Sequence, residues 1–379
     1  MTQLTVEIHG TGTHNRGAEM MAIAVADRLR RSLDDLRLVV PHWFGSLEDR
    51  AKHGFLTTPE FIGGGRSRIA SLALRYADPR VREKLGLVNP DEIDVVLDAS
   101  GFIYSDQWNA KPARNLYRKV QGRARRRARL ILLPQAMGPF EVPEVAEASR
   151  RLFERADLVF ARDRESMQHL EKLGVDTPTA LSPDFTMEVA PRASPDIELP
   201  ERFSAIVPNF RMVDKGVGAE EYLHFLAHTV TRLRERELNP LVLLHDANRD
   251  HEVVDRLTLE EPLRVVTHED PRVLKWILSR AWIVVGSRFH GLVGALSQGV
   301  PTIAAGWSHK YPELFADFGV PEYVLDDIEA TDRLDRLLDG LGEPSHRDAV
   351  VRTLEGHAER LKQESSRMWD RVVALCREA

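Results

Sequence analysis

An arginine and a histidine stand two positions apart where a predicted strand gives way to a predicted helix. The apolar run 282–287 predicts the strand, Arg288 and His290 follow it, and the pattern of 290–298 predicts the helix. A guanidinium can hold a phosphate or carboxylate through two parallel hydrogen bonds. A histidine beside it can serve as an acid or base near neutral pH. The pair therefore predicts a site that binds an anion and moves a proton; the alternatives are a structural histidine and an arginine that pairs with a buried carboxylate such as Asp184.

Other polar side chains also stand at the ends of predicted strands. Arg211 follows the strand 203–210 and is a second candidate for anion binding, the alternative being a solvated loop arginine. His245 and Asp246 end a further apolar run, but no metal-ligand spacing of the H-E-x-x-H kind is present. We therefore predict no metal site, and for Asp184 a capping or hinge role and a site role stand equal.

A glycine-rich segment, HGTGTHNRGAE at 9–19, follows the first predicted strand and opens a helix. Glycines let the backbone approach a ligand closely, and free N–H groups at a helix start suit an anion. The spacing is not that of a dinucleotide fingerprint and no G-K-[ST] follows, so neither nucleotide motif is indicated. Asn15, Gly17 and Glu19 are candidate ligand contacts; the alternative is a tight turn that Asn15 caps.

The elements that position these residues alternate between short apolar runs and helical patterns. This alternation favours parallel sheets with helices on both faces. A stretch with three prolines at 190–203 interrupts the pattern and predicts an extended linker. We interpret the chain as two Rossmann-like α/β domains, 1–190 and 203–345, with a helical tail at 346–379. Ligands of such sheets bind at the carboxyl ends of the strands, so we expect the active site in a cleft between the domains.

Composition excludes several classes of protein. The chain has 379 residues, with 52 Lys plus Arg against 58 Asp plus Glu and a formal net charge of −6, which argues against a nucleic-acid-binding protein. Cys376 is the single cysteine, so an intrachain disulfide is excluded. A large chain without disulfides fits a reducing compartment. No apolar run approaches the length of about 18 residues that a membrane span needs. The N-terminus shows no signal-peptide pattern, so we expect a cytoplasmic location without a transmembrane segment.

One segment is strongly basic, KVQGRARRRARL at 119–130. In a chain of negative net charge it is interpreted as a solvated helix face. The alternative is peripheral contact with anionic lipid head groups or with an anionic acceptor. The region 45–90 is expected to be an irregular insertion with one helix near 66–77.

The order of these motifs, from about residue 5 to 320, resembles the polysaccharide pyruvyl transferase family. The most specific match is the G-x-R-x-H…G-V-P…K signature that ends at Lys310, and Ala99–Ser100–Gly101 stands where the family has a glycine pair. The other matching segments are NRGAE at 15–19, DVVLDASGFIYSD at 94–106, LLPQAMGPF at 132–140 and RDRES at 162–166.

The resemblance implies a fold similar to that of GT-B glycosyltransferases, with the C-terminal helix returning to the first domain. It also implies that pyruvate is transferred from phosphoenolpyruvate, as a ketal, to a sugar of a cell-surface polysaccharide or its precursor, without a cofactor. Phosphate would be released, and the acceptor sugar could be lipid- or nucleotide-linked. The alternative is a GT-B glycosyltransferase with a nucleotide-sugar donor, and a third possibility is a non-catalytic sugar-binding protein.

By this resemblance Arg288 and His290 map onto catalytic positions, with His290 as the candidate general acid. Arg211 maps onto a phosphoenolpyruvate-binding position because it follows a predicted strand. The first domain is expected to meet the acceptor and the second to hold phosphoenolpyruvate. The complete set of predicted substrate-binding residues is Arg211, Asn15, Gly17, Glu19, His245, Asp184 and Lys310.

Overall fold

The structure, a computed structural model, describes residues 3–58, 77–122, 128–214, 217–246 and 249–379. These residues form two compact units. Unit 1 contains the residues up to His14, Met21–Phe185 and Glu364–Ala379, and unit 2 contains Asn15–Met20 and Thr186–Gln363. Almost all of the helix predicted near 66–77 lies outside the described residues, as do residues 123–127 of the basic segment.

Unit 1 contains a sheet of seven parallel strands, which are β1 Leu4–His9, β2 Leu36–Val40, β3 Leu56–Thr57, β4 Val95–Asp98, β5 Arg129–Gln135, β6 Leu158–Ala161 and β7 Thr179–Leu181. Their order in the sheet is β3-β2-β1-β4-β5-β6-β7. The central strands are buried on both faces, as the apolar run 95–98 indicates for a parallel sheet.

The helices of unit 1 follow the strands as the pattern predicts. Asp163 caps the helix Arg164–Leu173 by accepting a hydrogen bond from the Ser166 N–H at 2.7 Å, and Gly174 ends the helix in the left-handed conformation. Aspartate before a helix and glycine after it are the residue types that favour these two positions. The other described helices are Arg16–Ser32, whose first turn belongs to unit 2, Leu47–Lys52, Pro79–Lys84, Lys111–Gly122 and Pro143–Arg155.

The two described ends of the basic segment form ion pairs within unit 1. Lys119 Nζ lies 2.6 Å from Oε1 of the buried Glu7. Arg129 Nη2 lies 3.0 Å from Glu378 Oε2. These two charges therefore have local carboxylate partners.

Unit 2 contains a sheet of six parallel strands, which are β8 Ser204–Val207, β9 Pro240–Leu243, β10 Arg264–Val266, β11 Ile283–Gly286, β12 Thr302–Ala305 and β13 Val324–Leu325. Their order in the sheet is β10-β9-β8-β11-β12-β13. The chain passes from β8 outward to β9 and β10, then returns to place β11 on the opposite side of β8. The sheet therefore has a topological switch point between β8 and β11, where ligands of such sheets bind.

The last helix, Pro344–Arg377, begins in unit 2 and contributes its residues from Glu364 onward to unit 1. There Trp369 is buried and packs edge to face on Phe185, with ring centroids 5.6 Å apart. The return of the C-terminal helix to the first domain, and the two Rossmann-like units, are as predicted. The other helices of unit 2 are Arg211–Asp214, Ala219–Glu235, Arg249–Asp255, Pro271–Arg280, Phe289–Leu296, Lys310–Asp317 and Thr331–Gly342.

Two elements end where the apolar pattern alone does not indicate it. The apolar run 36–44 forms a strand only as far as Val40, because Pro41 has no N–H for the sheet. The helix that follows β9 spans Arg249–Asp255, which places Asp250 in its first turn. No helix in the described part of the chain is long and apolar enough to cross a bilayer.

Candidate active site

The carboxyl ends of β8 and β11 lie side by side in unit 2. The two strands pair in register from Ser204 with Ile283 to Val207 with Gly286, so the segments that leave them start as neighbours. Arg211 follows the first strand, and Arg288 and His290 follow the second. This edge of the sheet therefore carries the candidate site, at the place where ligands of such sheets bind.

The turn after β11 is fixed by side chains from other elements. The Ser287 carbonyl accepts hydrogen bonds from Asn209 Nδ2 and from the Tyr311 hydroxyl, each at 2.8 Å. The Tyr222 hydroxyl donates to Ser287 Oγ at 3.1 Å. Burial raises the pKa of Tyr222 to about 12, so this hydroxyl keeps its proton across the neutral range. The turn that carries the R-x-H pair is consequently held in one conformation.

Arg288 forms a two-bond ion pair with a buried carboxylate. Its Nε donates to Asp250 Oδ2 at 2.7 Å, and its Nη2 donates to Oδ1 of the same residue. Asp246 Oδ2 lies 3.5 Å from Nη2. Burial raises the pKa of the fully buried Asp250, and the guanidinium offsets only part of that rise. Among the described residues no hydrogen bond involves Arg288 Nη1, and the side chain is 13 % exposed.

The carboxylate partner of Arg288 is thus Asp250. It is not Asp184, which the sequence analysis gave as an example of such a partner. Asp184 belongs to unit 1, where it lies 3.4 Å from Arg162. The pairing with Asp250 joins residues 38 positions apart. Residue type alone cannot choose between buried aspartates at such separations.

The loop that carries Arg211 is tied to the same carboxylate. The Phe210 N–H donates to Asp250 Oδ1, and the Arg211 N–H donates to Asn209 Oδ1, both at 3.0 Å. The Arg211 guanidinium pairs with Asp214 in its own helical turn. Arg211 therefore shares the edge through its backbone, while its side chain has a local carboxylate partner.

The start of the helix Arg16–Ser32 packs within unit 2. The Asn15 side chain caps it, because its Oδ1 accepts from the Gly17 N–H at 2.9 Å. Arg16 Nη1 lies 2.6 Å from Oε2 of the buried Glu19. A methyl carbon added at Gly17 would lie 2.3 Å from His290 Nδ1. This contact requires glycine at 17, whereas the side chains of Asn15 and Glu19 serve the helix start.

His245 is a neutral base beside cationic groups. Its backbone carbonyl accepts from the Arg16 N–H at 3.1 Å, and its buried Nε2 has no hydrogen-bond partner among the described residues. Burial, and after it the nearby charges of Arg288, His290 and Arg16, together lower the pKa of His245 to about 3. Such a concentration of positive charge suits an anionic ligand.

Lys310 completes this group of charges. Its ammonium lies 4.6 Å from the centroid of the Trp307 ring, 5.3 Å from that of Tyr311 and 5.7 Å from that of Phe289. The Phe289 ring meets the His290 ring edge to face at 5.6 Å. Cation–π contacts of this kind hold an ammonium where little water can reach it.

The structure thus brings Arg288, His290, His245, Gly17 and Lys310 to one part of unit 2. Sequence reasoning missed two residues that organise this part, Asn209 and Asp250. Asn209 carries only the weak signal of standing two positions after a strand, and Asp250 lies in a polar run without a motif. Among the residues that the structure describes, no group of three or more His, Cys, Asp or Glu side chains is arranged to hold a metal ion.

Solved structures share this fold at low sequence identity. The UDP-GlcNAc 2-epimerase of Neisseria meningitidis, bound to UDP-GlcNAc, is 12 % identical with a TM-score of 0.61, and the alignment covers 98 % of this chain and 99 % of that one. Anabaena Alr3699/HepE, in complex with UDP and glucose, is 14 % identical with a TM-score of 0.59, covering 97 % and 99 %. Likenesses at these identities concern the fold, which is that of two Rossmann-like domains as in GT-B glycosyltransferases and epimerases.

Sequence comparison carries more information. The amylovoran biosynthesis protein AmsJ of Erwinia amylovora is 21 % identical over 222 residues, which are 52 % of this chain and 54 % of that protein. The chain therefore matches about half the length of this curated relative. A sequence model described as polysaccharide pyruvyl transferase matches residues 15–309, a span that runs from the cap of the first helix through the R-x-H pair. With this much of its length matched, the chain belongs to the polysaccharide pyruvyl transferase family.

Proposed function

We propose that this protein transfers the pyruvyl group of phosphoenolpyruvate, as a ketal, to a sugar of a cell-surface polysaccharide or its precursor, releasing phosphate. The observation that carries the proposal is an arginine with an accessible donor, Arg288 Nη1, two positions from a histidine at the switch point of a parallel sheet. Family membership supports the same chemistry.

Phosphoenolpyruvate matches the charge of this edge. It carries a phosphate and a carboxylate, and the edge presents Arg288 and His290 beside a neutral His245, with the Lys310 ammonium 5.7 Å from the ring centroid of Phe289. We assign the anionic groups of the substrate to Arg288 and Lys310. Arg211 can bind the same anion if its guanidinium leaves Asp214 and donates to the ligand instead. A phosphate oxygen accepts the same hydrogen bonds as the Asp214 carboxylate.

The transfer needs one proton delivered and two removed. His290, as imidazolium, donates a proton to C3, so the C2–C3 double bond becomes a single bond and C2 gains oxocarbenium character. A sugar hydroxyl then adds to C2 and gives its proton to the now neutral His290, which restores the imidazolium. The bond between C2 and the phosphate oxygen then breaks. A second hydroxyl adds to C2 and closes the cyclic ketal, its proton leaving with phosphate. Arg288 stabilises the negative charge of the departing phosphate.

The glycine-rich segment leaves room for the His290 ring and holds the start of the first helix beside it. Gly17 admits the His290 ring, and Asn15 and Glu19 hold the helix start that carries Gly17. We propose that the acceptor approaches His290 beside this helix start. His245, whose ring stays neutral, can donate or accept a hydrogen bond there without adding a further positive charge.

A second candidate is transfer of a sugar from a nucleotide donor, because chains of the same fold are known in complexes with UDP or UDP-GlcNAc. The two candidates differ in the leaving group, which is inorganic phosphate in one case and a nucleoside diphosphate in the other. The family match favours the first.

A thermal-shift screen followed by a phosphate-release assay tests the proposal. A ligand that binds only the folded state raises the melting temperature, by an amount set by its concentration relative to Kd. We expect phosphoenolpyruvate to raise Tm, and UDP or UDP-sugars not to. Phosphate release should require phosphoenolpyruvate together with a sugar acceptor fraction. Stabilisation by UDP-sugars with none by phosphoenolpyruvate would overturn the proposal, and release of a nucleoside diphosphate would then identify a glycosyltransferase.

A further inference from the structure

We infer that Asp250 is a positioning residue. By pairing with one edge of the Arg288 guanidinium, it determines which nitrogen of that group faces the substrate anion. The inference rests on the proposed function, since it names how that same site recognises its anion. Asp250 is fully buried in the first turn of the helix Arg249–Asp255, and it makes no contact with the substrate itself in this scheme.

The two carboxylate oxygens of Asp250 accept four hydrogen bonds. Oδ2 accepts from Arg288 Nε at 2.7 Å and from the Asp246 N–H at 3.1 Å. Oδ1 accepts from Arg288 Nη2 and from the Phe210 N–H at 3.0 Å. One carboxylate therefore joins the turn after β11, the loop after β8 and the loop after β9.

This pairing uses the side edge of the guanidinium, which is formed by Nε and Nη2. The same edge is the one that commonly holds a carboxylate or phosphate in two parallel hydrogen bonds. The remaining donor without a hydrogen-bond partner among the described residues is Nη1. Arg288 therefore meets its anion end-on through Nη1, and Asp250 fixes the direction of that donor.

A carboxylate suits this position, because each of the four hydrogen-bond partners of Asp250 is a donor. An asparagine there keeps the shape but turns one oxygen into an NH₂ group, which would face either the Arg288 Nε–H and Asp246 N–H or the Arg288 Nη2–H and Phe210 N–H. Two donors cannot share a hydrogen bond. We expect the guanidinium to rotate away from this edge, so that Nη1 no longer points at the anion.

The test is a double-mutant cycle on binding of phosphoenolpyruvate by the full chain, measured by calorimetry. The variants are Asp250→Asn, Arg288→Lys and their combination. The control is Asp255→Asn on the same helix, where the side chain is 63 % exposed and pairs with His251. Circular dichroism and Tm establish the folded fraction of each variant, so that Kd refers to folded protein.

Asp250→Asn is expected to weaken binding by about 10–100-fold, by analogy with the loss seen when a residue that orients a metal ligand is replaced. Because Asp250 acts through Arg288, the double variant should bind no more weakly than Arg288→Lys alone. Asp255→Asn should match the wild type. Binding by Asp250→Asn within twofold of wild type would overturn the inference, and so would a double variant whose loss is the product of the two single losses.

A second variant keeps the inference testable if Asp250→Asn does not fold. Asp250→Glu retains the charge but displaces the carboxylate by one methylene, and an intermediate loss of affinity is expected; wild-type affinity would count against the inference. Inorganic phosphate serves as a second probe. If the wild type binds phosphate but not phosphoenolpyruvate, the proposed function is wrong, and the double-mutant cycle is measured on phosphate binding instead. If the wild type binds neither anion, both the proposed function and the inference about Asp250 are wrong.

Discussion

Replacing Arg288 by lysine separates the charge of this residue from its geometry. The arginine makes two charge-assisted hydrogen bonds to Asp250, and a single ammonium can retain only one of them. A hydrogen bond to a charged group contributes about 1.5–3 kcal/mol, so Arg288→Lys should lower the free energy of unfolding by about that amount. For a unit of this size each kcal/mol corresponds to about 2–4 °C, which predicts a fall in Tm of about 3–12 °C.

The same substitution should weaken ligand binding. Lysine has no Nη1 donor held in a fixed direction, so we expect the affinity for phosphoenolpyruvate to fall at least about tenfold, or about 1.4 kcal/mol. Urea unfolding without ligand measures the first effect, and calorimetric titration measures the second. Arg280→Lys, at an exposed position in the same unit, is the control and should change stability by less than about 0.5 kcal/mol.

The two measurements together decide the role of Arg288. Lower stability with unchanged affinity for phosphoenolpyruvate would refute a ligand-binding role and leave Arg288 as a structural partner of Asp250. Weaker binding with unchanged stability would show that the pairing contributes nothing to the fold. Lower stability and weaker binding together are what the geometry predicts.

Three further predictions concern single side chains. Gly17→Ala places a carbon 2.3 Å from His290 Nδ1 and should lower kcat by about 10²-fold. Gly356→Ala, where an added carbon meets nothing within 4 Å, should leave kcat unchanged. Wild-type kcat in Gly17→Ala would contradict the proposed contact. His290→Gln should lower kcat by about 10²–10⁴-fold in the phosphate-release assay, with a smaller change in KM; near-normal kcat would exclude the general-acid role. The pKa of His245 is about 3 in the folded chain and 6.5 in the unfolded chain, so between these pH values this residue binds a proton only in the unfolded state. The free energy of unfolding therefore falls by up to about 1.4 kcal/mol per pH unit as the pH drops below 6.5. Urea unfolding at several pH values should show a shallower slope in His245→Gln, because this contribution is lost, and the wild-type slope in His251→Gln, at an exposed position. An unchanged slope in His245→Gln would refute the assignment.

The sequence predicts much of the fold because parallel strands are buried on both faces. Runs such as 283–286 and 95–98 are therefore continuously apolar, and the polar residues that follow them mark the strand ends. Local chemistry is equally visible, since the Asp163 cap and the Gly174 stop depend only on neighbouring residues. The position of the R-x-H pair at a strand end follows from the same patterns.

What the sequence does not predict is long-range pairing. Nothing in the polar run 245–251 distinguishes Asp250, whose burial and contact with Arg288 arise only when three loops meet. Asn209 is invisible for the same reason, because its partner, the Ser287 carbonyl, is a backbone group that any residue carries. The contact of Gly17 with His290 also depends on tertiary placement, although glycine itself hints at a close approach.

The helix Pro344–Arg377 has a consequence for how the chain can be divided. Unit 1 is discontinuous: its last piece, from Glu364 onward, is synthesised only after the whole of 186–363. A fragment cut at the linker would leave Phe185 without Trp369 and Phe160 without the Arg371 guanidinium 5.5 Å above its ring. Such a truncated first half exposes apolar surface that the intact chain covers, and newly made chains pass through the same state before translation ends. Attempts to express the halves separately should therefore join 364–379 to the first half through a designed loop.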